Sequence, residues 1–404
     1  MNEGANSAQL SAASGIQSTG PLPFLKRPVL LLFSDDSTLF FALRMRDCLQ
    51  ATDLNLEIEL GWVVNENALS YRQMSQLLPE GPNIAIHGKN GFSDLLSGQS
   101  YSAVLTSRVY GPLGAQLRRE IVSVRAGRPC ILAFLGGLDF FPQNGYFRRR
   151  HCDGVYLFPQ SELSVYSNMA ENWNGIMWQD VNFGHPSLLA PKSLSHEDLA
   201  DRRDIYFFTQ ALSPTTRRGR LHMLNALSAI ARANPDRTVW IKLRHLPGEN
   251  EKHLHREKHD YPALMAELPR VPENLKITAC TMDEALEAAA LGITCTSTAA
   301  VDVIREGVPC MVHLDFVDNY LDPLVEPMRK LFAESGLITS LHDMLNLRDS
   351  SPNSKWLNDM FCTHDLGARI MNTIARFSER PFQVQHTRNR DLAMLQARFD
   401  KGQI

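Results

Sequence analysis

Short apolar runs alternate with longer amphipathic runs along most of the chain. The first three segments are Val29–Ser34, Thr38–Gln50 and Leu56–Val64, which predict a strand, a helix and a strand. Such alternation is typical of parallel strands joined by helices. The pattern continues with apolar runs at 83–87, 103–106, 130–135 and 154–158 and an amphipathic run at 114–126. We therefore predict a first α/β domain over residues 23–184.

A second alternating series follows a segment, 185–203, in which Pro, Ser and mixed charge interrupt the pattern, as expected of a linker. Its predicted strands are 205–209, 238–243, 275–279, 293–296 and 309–314, and its predicted helices are 216–233, 283–289, 299–306 and 327–335. We predict a second α/β domain over residues 204–380. Two such sheets facing one another define a cleft.

The two ends of the chain differ from these domains. Residues 1–22 are rich in Ser, Ala, Gly and Asn and predict a disordered tail. Residues 366–375 and 389–400 have helical patterns, and we predict that 381–404 form a closing helix that packs back on the first domain.

Composition narrows the classes of protein to consider. The 404 residues suffice for two domains of ordinary size, and 44% hydrophobic residues allow large cores. A formal net charge of -3 gives no reason to expect a nucleic-acid partner. The seven cysteines have no C-x-x-C spacing, which indicates free thiols in a reducing compartment, the cytoplasm. Because the sequence has no signal-peptide pattern and no membrane-length apolar run, we expect peripheral membrane contact at most.

The segment Thr294–Ala300 places hydroxyl residues where a predicted strand passes into a helix. Free N–H groups at a helix start can bind phosphate, and strand-to-helix turns at sheet edges are common ligand sites. We predict that Thr296, Ser297 and Thr298 contribute to a nucleotide site. The alternative is that these hydroxyls only cap the helix.

A second candidate segment runs from Lys242 to Glu249, at the end of another predicted strand. Alternation places Lys242 and Arg244 on one side, where they suit a nucleotide phosphate, and His245 on the other. We predict that His245 donates to the phosphate or the departing oxygen, or else is a structural histidine. Glu249 could accept hydrogen bonds from ribose hydroxyls or simply lie in a turn, and Gly248 belongs to the same predicted site.

Carboxylates follow two predicted strands of the first domain. Asp35 and Asp36 come after the first strand, and Asp139 follows the glycines at 136 and 137 after another. When a hydroxyl group is the nucleophile it must lose its proton, and a carboxylate with a raised pKa is a suitable base. We predict Asp35 or Asp36 as the base, with Asp139 as a second candidate; the alternative for the first pair is helix capping.

Several common motifs are missing from the sequence. It contains no G-x-x-x-x-G-K-[ST], no G-x-G-x-x-G after the first strand and no G-x-S-x-G, so P-loop hydrolysis, simple dinucleotide oxidoreduction and the hydrolase elbow are not supported. His253, His255 and His259 fall in a polar stretch whose spacing does not give a closed zinc set. We predict no metal site.

The segments 208–214, 242–249 and 295–300 together resemble an uncharacterised family of bacterial glycosyltransferases. The resemblance covers residues 205–340 well, and it implies the GT-B fold, in which two Rossmann-like domains face one another across a cleft. The same segments are more distantly similar to bacterial sialyltransferases, polysialyltransferases and Kdo transferases, which use CMP-sugars. By that similarity, His245 corresponds to the histidine of a His-Pro motif, and Ser297 with Thr298 to the hydroxyl pair that holds the CMP phosphate.

This resemblance implies an inverting reaction without a metal, in which Asp35 or Asp36 deprotonates the acceptor hydroxyl. The implied substrates are a CMP-sugar donor and a glycan or lipid-linked glycan acceptor. In this chain Leu246 separates the histidine of the motif from its proline, as His245-Leu246-Pro247. An uninterrupted His185-Pro186 pair occurs in the predicted linker. A UDP- or GDP-sugar transferase, a nucleotide-sugar epimerase or hydrolase, and a non-catalytic nucleotide-binding protein remain alternatives.

Overall fold

The computed structural model describes residues 25–64, 69, 71–119, 127–136, 142–173, 179–194, 198, 199, 201–252 and 256–379. Within them, seven parallel strands form one sheet. These strands are β1 Val29–Phe33, β2 Ile58–Val63, β3 Ile84–Ile86, β4 Ala103–Thr106, β5 Cys130–Phe134, β6 Gly154–Leu157 and β7 Asp180–Phe183. The helices between them are α1 Asp36–Gln50, α2 Tyr71–Leu77, α3 Gly88–Ser97, α4 Gly111–Leu117, α5 Pro142–Arg149 and α6 Glu162–Ala170.

A second sheet of five parallel strands follows. It consists of β8 Asp204–Phe208, β9 Val239–Lys242, β10 Leu275–Thr278, β11 Ala289–Thr294 and β12 Cys310–Val312. Its helices are α7 Arg217–Ala233, α8 Tyr261–Ala266, α9 Met282–Ala288, α10 Ala299–Arg305, α11 Val325–Leu331, α12 Leu341–Leu345 and α13 Ser354–Met360, with 3-10 turns at Pro247–Lys252 and Asn319–Leu321. The last described helix is α14 Leu366–Glu379.

The order of the strands fixes where ligands can bind. The first sheet has the order β3-β2-β1-β4-β5-β6-β7, and the second has the order β10-β9-β8-β11-β12. In each sheet the order reverses beside its first strand, and the crevice outside the carboxyl ends at such a reversal is where α/β proteins bind ligands. The predicted α/β class with two parallel sheets is therefore confirmed.

Burial explains why the strands could be recognised from sequence. All five residues of β1, VLLLF, and all five of β5, CILAF, are buried. Strands covered by helices on both faces have continuous apolar runs, because neither face meets water. Both sheets follow this rule in their central strands.

The chain crosses between the domains twice, and the two crossings lie side by side. Residues after β7 lead to the second domain, and the chain returns near Cys362, where Leu189 and Cys362 form an isolated parallel bridge. The Ala190 amide donates to the Cys362 carbonyl at 2.8 Å, and the Cys362 amide donates to the Leu188 carbonyl at 2.7 Å. This paired crossing connects the two domains at one place.

The helix that returns to the first domain is α14, earlier than predicted. Its apolar residues Leu366, Ile370 and Ile374 pack in the same cluster as β1 and β5. Gly367 permits a close approach to α1, since a Cβ there would lie 2.8 Å from the Cys48 carbonyl oxygen. The sequence pattern places this stretch in the second domain and the return in 381–404. Those last residues lie outside the described part of the chain, as does the predicted tail at 1–22.

Among the described residues, no helix combines the length and apolar character needed to span a bilayer.

Candidate functional site

A cavity of about 400 Å³ lies between the two domains, at the carboxyl ends of both sheets. Six of the residues predicted from sequence line it, and these are Asp36, Lys242, Arg244, Thr296, Ser297 and Thr298. Four others, Asp35, His245, Gly248 and Glu249, are described but do not line it. Asp139 lies outside the described residues. The structure thus gathers most of the predicted residues in one place.

Lys242 is the cation of the second-domain wall that has no carboxylate partner. It ends β9, is partly buried, and makes no ion pair with any described residue. Burial lowers the pKa of Lys242, Arg72 lowers it further, and Cys280 and Glu284 partly offset this. An ammonium group that lies in a cavity wall and forms no ion pair is suited to bind an anion.

The turn from β11 to α10 contributes hydroxyl groups to the same cavity. The Ser297 hydroxyl accepts from the Ala299 amide at 3.2 Å, which matches the capping alternative. Thr298, at the N-cap position, makes no side-chain cap bond. Thr296 is only 2% exposed, and its Oγ1 has no hydrogen-bond partner among the described residues. A buried hydroxyl without a partner is costly, so a ligand oxygen would stabilise it.

Asp35 and Asp36 have different surroundings although they are adjacent. Asp35 is the N-cap of α1: its Oδ1 accepts from the Thr38 amide at 2.9 Å, and its Oδ2 pairs with Arg108 at 3.2 Å. Asp35 thus has the helix-capping role that was the alternative to the base, and its carboxylate binds the first turn of α1. Asp36 instead lines the cavity and is 6% exposed.

Asp36 binds Arg244 of the opposite domain through two hydrogen bonds. Nε of Arg244 donates to Oδ2 at 2.9 Å, and Nη2 donates to Oδ1 at 2.8 Å. Burial by itself would lower the pKa of Arg244, but the charge of Asp36 and the bonds to it raise the pKa overall. This two-point geometry is the strongest common form of an arginine–carboxylate pair.

Two more arginine–carboxylate pairs join the domains across the cleft. Arg72 donates to both carboxylate oxygens of Glu249 at 2.8 Å, and Arg44 pairs with Asp302 at 2.8 Å. The bond to Glu249 raises the pKa of Arg72 above its ordinary value. The described structure therefore has Glu249 bound to an arginine of the first domain, and its ribose role remains a prediction.

His245 and Gly248 are near the cavity in sequence but do not line it. His245 is 1% exposed, although it directly follows Arg244 of the cavity wall. Gly248 is exposed within the 3-10 turn, with open space where a Cβ would be. The phosphate role of His245 and the ligand role of Gly248 remain predictions. His259 is described, and His253 and His255 are not; no group of three or more His, Cys, Asp or Glu in the described residues is arranged to hold a metal.

His185 is a cavity residue to which the sequence analysis gave no role. The Ser187 amide donates to its Nδ1 at 3.1 Å, so Nε2 carries the proton, and Nε2 has no hydrogen-bond partner among the described residues. The ring lies near Phe41 and Phe158, with centroids 5.5 and 5.2 Å away. Burial, and then the charge of Arg44, lowers the pKa of His185 to about 3, so the imidazole is neutral. The uninterrupted His185-Pro186 pair was the available signal.

Two facing Rossmann-like domains with a cavity at their joint carboxyl edges are the architecture of the GT-B class of α/β enzymes. The sequence matches, over residues 29–377, the family described as "Putative glycosyltransferase (DUF6716)". The match spans most of the chain, and the protein belongs to this family of glycosyltransferases. No curated protein matches the chain by sequence.

Solved structures support the fold assignment. The UDP-GlcNAc 2-epimerase of Methanocaldococcus jannaschii is 11% identical, with a TM-score of 0.54 over 87% of this chain and 99% of that one. A "putative UDP-N-acetylglucosamine 2-epimerase" of Listeria monocytogenes is 14% identical, with a TM-score of 0.52 over 88% and 97%. At such identities the likeness concerns the fold, and function has to be argued from the site.

Proposed function

We propose that this protein transfers a sugar from a nucleotide-activated donor whose phosphate binds between Lys242 and the hydroxyl residues 296–298. The observation that carries the proposal is that one cavity wall holds both the Lys242 ammonium, which forms no ion pair with a described residue, and the buried Thr296 hydroxyl, which has no hydrogen-bond partner among the described residues. Strand β8 lies between the two strands that end in these residues, so they are about 10 Å apart at the backbone. A lysine side chain and a phosphate group together span that distance.

The charges of the described cavity wall favour a donor with one phosphate. Lys242 has no carboxylate partner, whereas Arg44, Arg72 and Arg244 are each paired with one. A CMP-activated sugar carries a single phosphodiester charge, which one lysine can balance. We therefore propose a CMP-sugar donor, in line with the sialyltransferase and Kdo transferase resemblance.

A UDP- or GDP-sugar is the second candidate, and Arg244 is the observation that favours it. Arg244 lies two residues from Lys242 in the same wall and could balance a second phosphate if it exchanged Asp36 for that anion. The carboxylate of a sialic-acid-like sugar could likewise replace Asp36 as the partner of Arg244. In either case the incoming anion and Asp36 compete for one guanidinium.

The proposed reaction uses the two walls of the cleft for different tasks. Asp36, released from Arg244, takes the proton of the acceptor hydroxyl, whose oxygen forms a bond to the anomeric carbon. The bond from that carbon to the phosphate oxygen breaks, and Lys242 with Thr296 stabilises the departing nucleotide. Because base and leaving group lie on opposite walls, attack comes from the face opposite the leaving group, with inversion. The Lys242 ammonium and the hydroxyl groups balance the charge of the departing phosphate, so the proposed reaction needs no metal. The proposed acceptor is a glycan or lipid-linked glycan.

Donor hydrolysis and transfer assays test this proposal and do not require a defined acceptor. The protein is incubated with CMP-, UDP- and GDP-sugars in the presence of EDTA, and free nucleotide and altered sugars are quantified. Release of CMP that is lost in Lys242→Met supports the proposal. Release of UDP or GDP moves the donor to the second candidate, and an isomerised nucleotide sugar without an acceptor would show an epimerase instead.

A further inference from the structure

The outer surface of the first domain carries a group of cationic side chains with no carboxylate partners. We call this group the basic patch, and it consists of Arg118, Arg148 and Arg150, with His151 beside it. None of the three arginines forms an ion pair with a described residue, and Arg118 and Arg148 are exposed. The neighbouring carboxylates Glu162 and Asp153 are bound to Tyr146 and Arg128 instead. The patch therefore keeps its charge although the formal net charge of the chain is -3.

Arg118 and Arg150 are close enough to affect one another and His151, and Arg148 lies on α5 two residues before Arg150. Burial lowers the pKa of His151 to about 4, and the charges of Arg150 and Arg118 add to this shift. Arg118 likewise lowers the pKa of Arg150, after burial. Like charges lower each other's pKa only when they are near, so α4 and the end of α5 bring them to one place.

Two aromatic rings lie within the basic patch. The Arg150 guanidinium stacks over the Phe147 ring, 3.5 Å from its centroid, and Trp173 meets Phe147 edge-on at 6.1 Å. Phe147 is 49% exposed. None of these residues lines the cleft cavity, so their charge and exposure are not explained by the donor site.

We propose that the basic patch, with Phe147 and Trp173, docks the first domain onto an anionic lipid surface. Arginine guanidinium groups bind phosphate headgroups, and aromatic rings favour the boundary between headgroups and acyl chains. A soluble polyanion would satisfy the charges but would offer no apolar phase to the exposed Phe147 ring. The inference does not depend on the identity of the donor, so it stands or falls separately from the proposed function.

The test is co-sedimentation of the full chain with phosphatidylcholine vesicles, with and without about one-third phosphatidylglycerol. Each basic residue near such a surface contributes roughly a five-fold increase in partitioning, so Arg118→Gln, Arg148→Gln and Arg150→Gln together should weaken binding on the order of 100-fold. The matched control replaces three exposed cations elsewhere, Arg270, Lys330 and Arg348, by Gln. It causes the same change in net charge and should retain most of the binding.

A second pair of variants separates lipid from other polyanions. Phe147→Ser should weaken vesicle binding severalfold and leave retention on a heparin column unchanged, whereas Leu54→Ser, at an 87% exposed apolar residue elsewhere, should alter neither. Binding should also fall as salt rises to ~0.5 M, because exposed charges are then screened. The proposal is overturned if the protein ignores phosphatidylglycerol, if the two triple variants behave alike, or if heparin but not vesicles retains the protein. Nucleotide affinity, measured on the same variants, should not change.

Discussion

Replacing Lys242 by Met isolates the charge on which the donor site depends. Methionine keeps much of the length and apolar volume of the side chain and removes the ammonium, so packing at the end of β9 changes little. Lys242 has no carboxylate partner in the described structure that would be left unpaired by the change. The loss in affinity therefore reports the contact with the ligand.

The size of the effect follows from the surroundings of Lys242. Two unit charges 4 Å apart attract by about 4 kcal/mol at the effective dielectric of a protein surface. Exchange with water reduces the net value of a hydrogen bond to a charged group to about 1.5–3 kcal/mol. We expect the dissociation constant of the preferred nucleotide to rise about 10- to 150-fold in Lys242→Met.

Isothermal titration calorimetry with CMP, UDP and GDP measures this change directly. The matched control is Lys276→Met, on the neighbouring strand β10, where the lysine is exposed and lies over the Trp240 ring. Because burial lowers the pKa of Lys242, nucleotide binding to the unaltered protein should also weaken, as pH rises, sooner than an ordinary lysine would allow. Equal affinities of the two variants, with the fold intact, would refute the assigned role of Lys242.

Three further predictions concern Asp35, the Arg244–Asp36 pair and His185. Asp35→Ala should lower the free energy of unfolding by about 1–2 kcal/mol, because the N-cap of α1 is lost. Asp35→Asn should keep both the cap and the enzymatic activity. Loss of activity in Asp35→Asn would instead identify Asp35 as the base. Arg244→Gln removes the guanidinium that binds the buried Asp36 carboxylate and should lower the free energy of unfolding by about 1–3 kcal/mol. A double-mutant cycle with Asp36→Asn, measured by urea denaturation, should show coupling between the two residues, and additive effects would contradict the pairing. The pKa of His185 is about 3 in the folded protein, below its unfolded value, so the unfolded chain binds the proton first and stability falls as pH drops below about 6.5. By pH 4.5 this loss amounts to about 2–3 kcal/mol, and His185→Phe should lack it; parallel pH profiles of the two proteins would refute the assignment.

The fold was accessible to sequence analysis because central strands such as β1 and β5 are buried on both faces. Runs such as VLLLF in β1 contain no polar position and differ clearly from the amphipathic helices around them. β11 was predicted too short because its first residues, Ala289 and Ala290, continue the alanine-rich pattern of α9. The domain on which α14 packs was not predicted, for another reason. An apolar stripe along a helix shows that the helix packs against something, but not against which surface.

The site was only partly accessible. Strand ends on one sheet edge meet by geometry, so Lys242, Arg244 and residues 296–298 could be grouped from their positions alone. The pairing of Arg244 with Asp36 could not be predicted, because it depends on how two domains face one another and joins residues 208 positions apart. The local pattern left His245 either as a donor to the phosphate or as a structural histidine, and its burial does not decide between the two. It gave no role to His185, whose ring neighbours Phe41 and Phe158 come from distant segments.

The proposed donor site is tested by a crystal structure of the protein with the nucleotide that binds most tightly. We expect a phosphate within hydrogen-bonding distance of both the Lys242 ammonium and the Thr296 hydroxyl, with the base and ribose in the second-domain half of the cleft. A nucleotide bound elsewhere, or one whose phosphate contacts neither group, would contradict it.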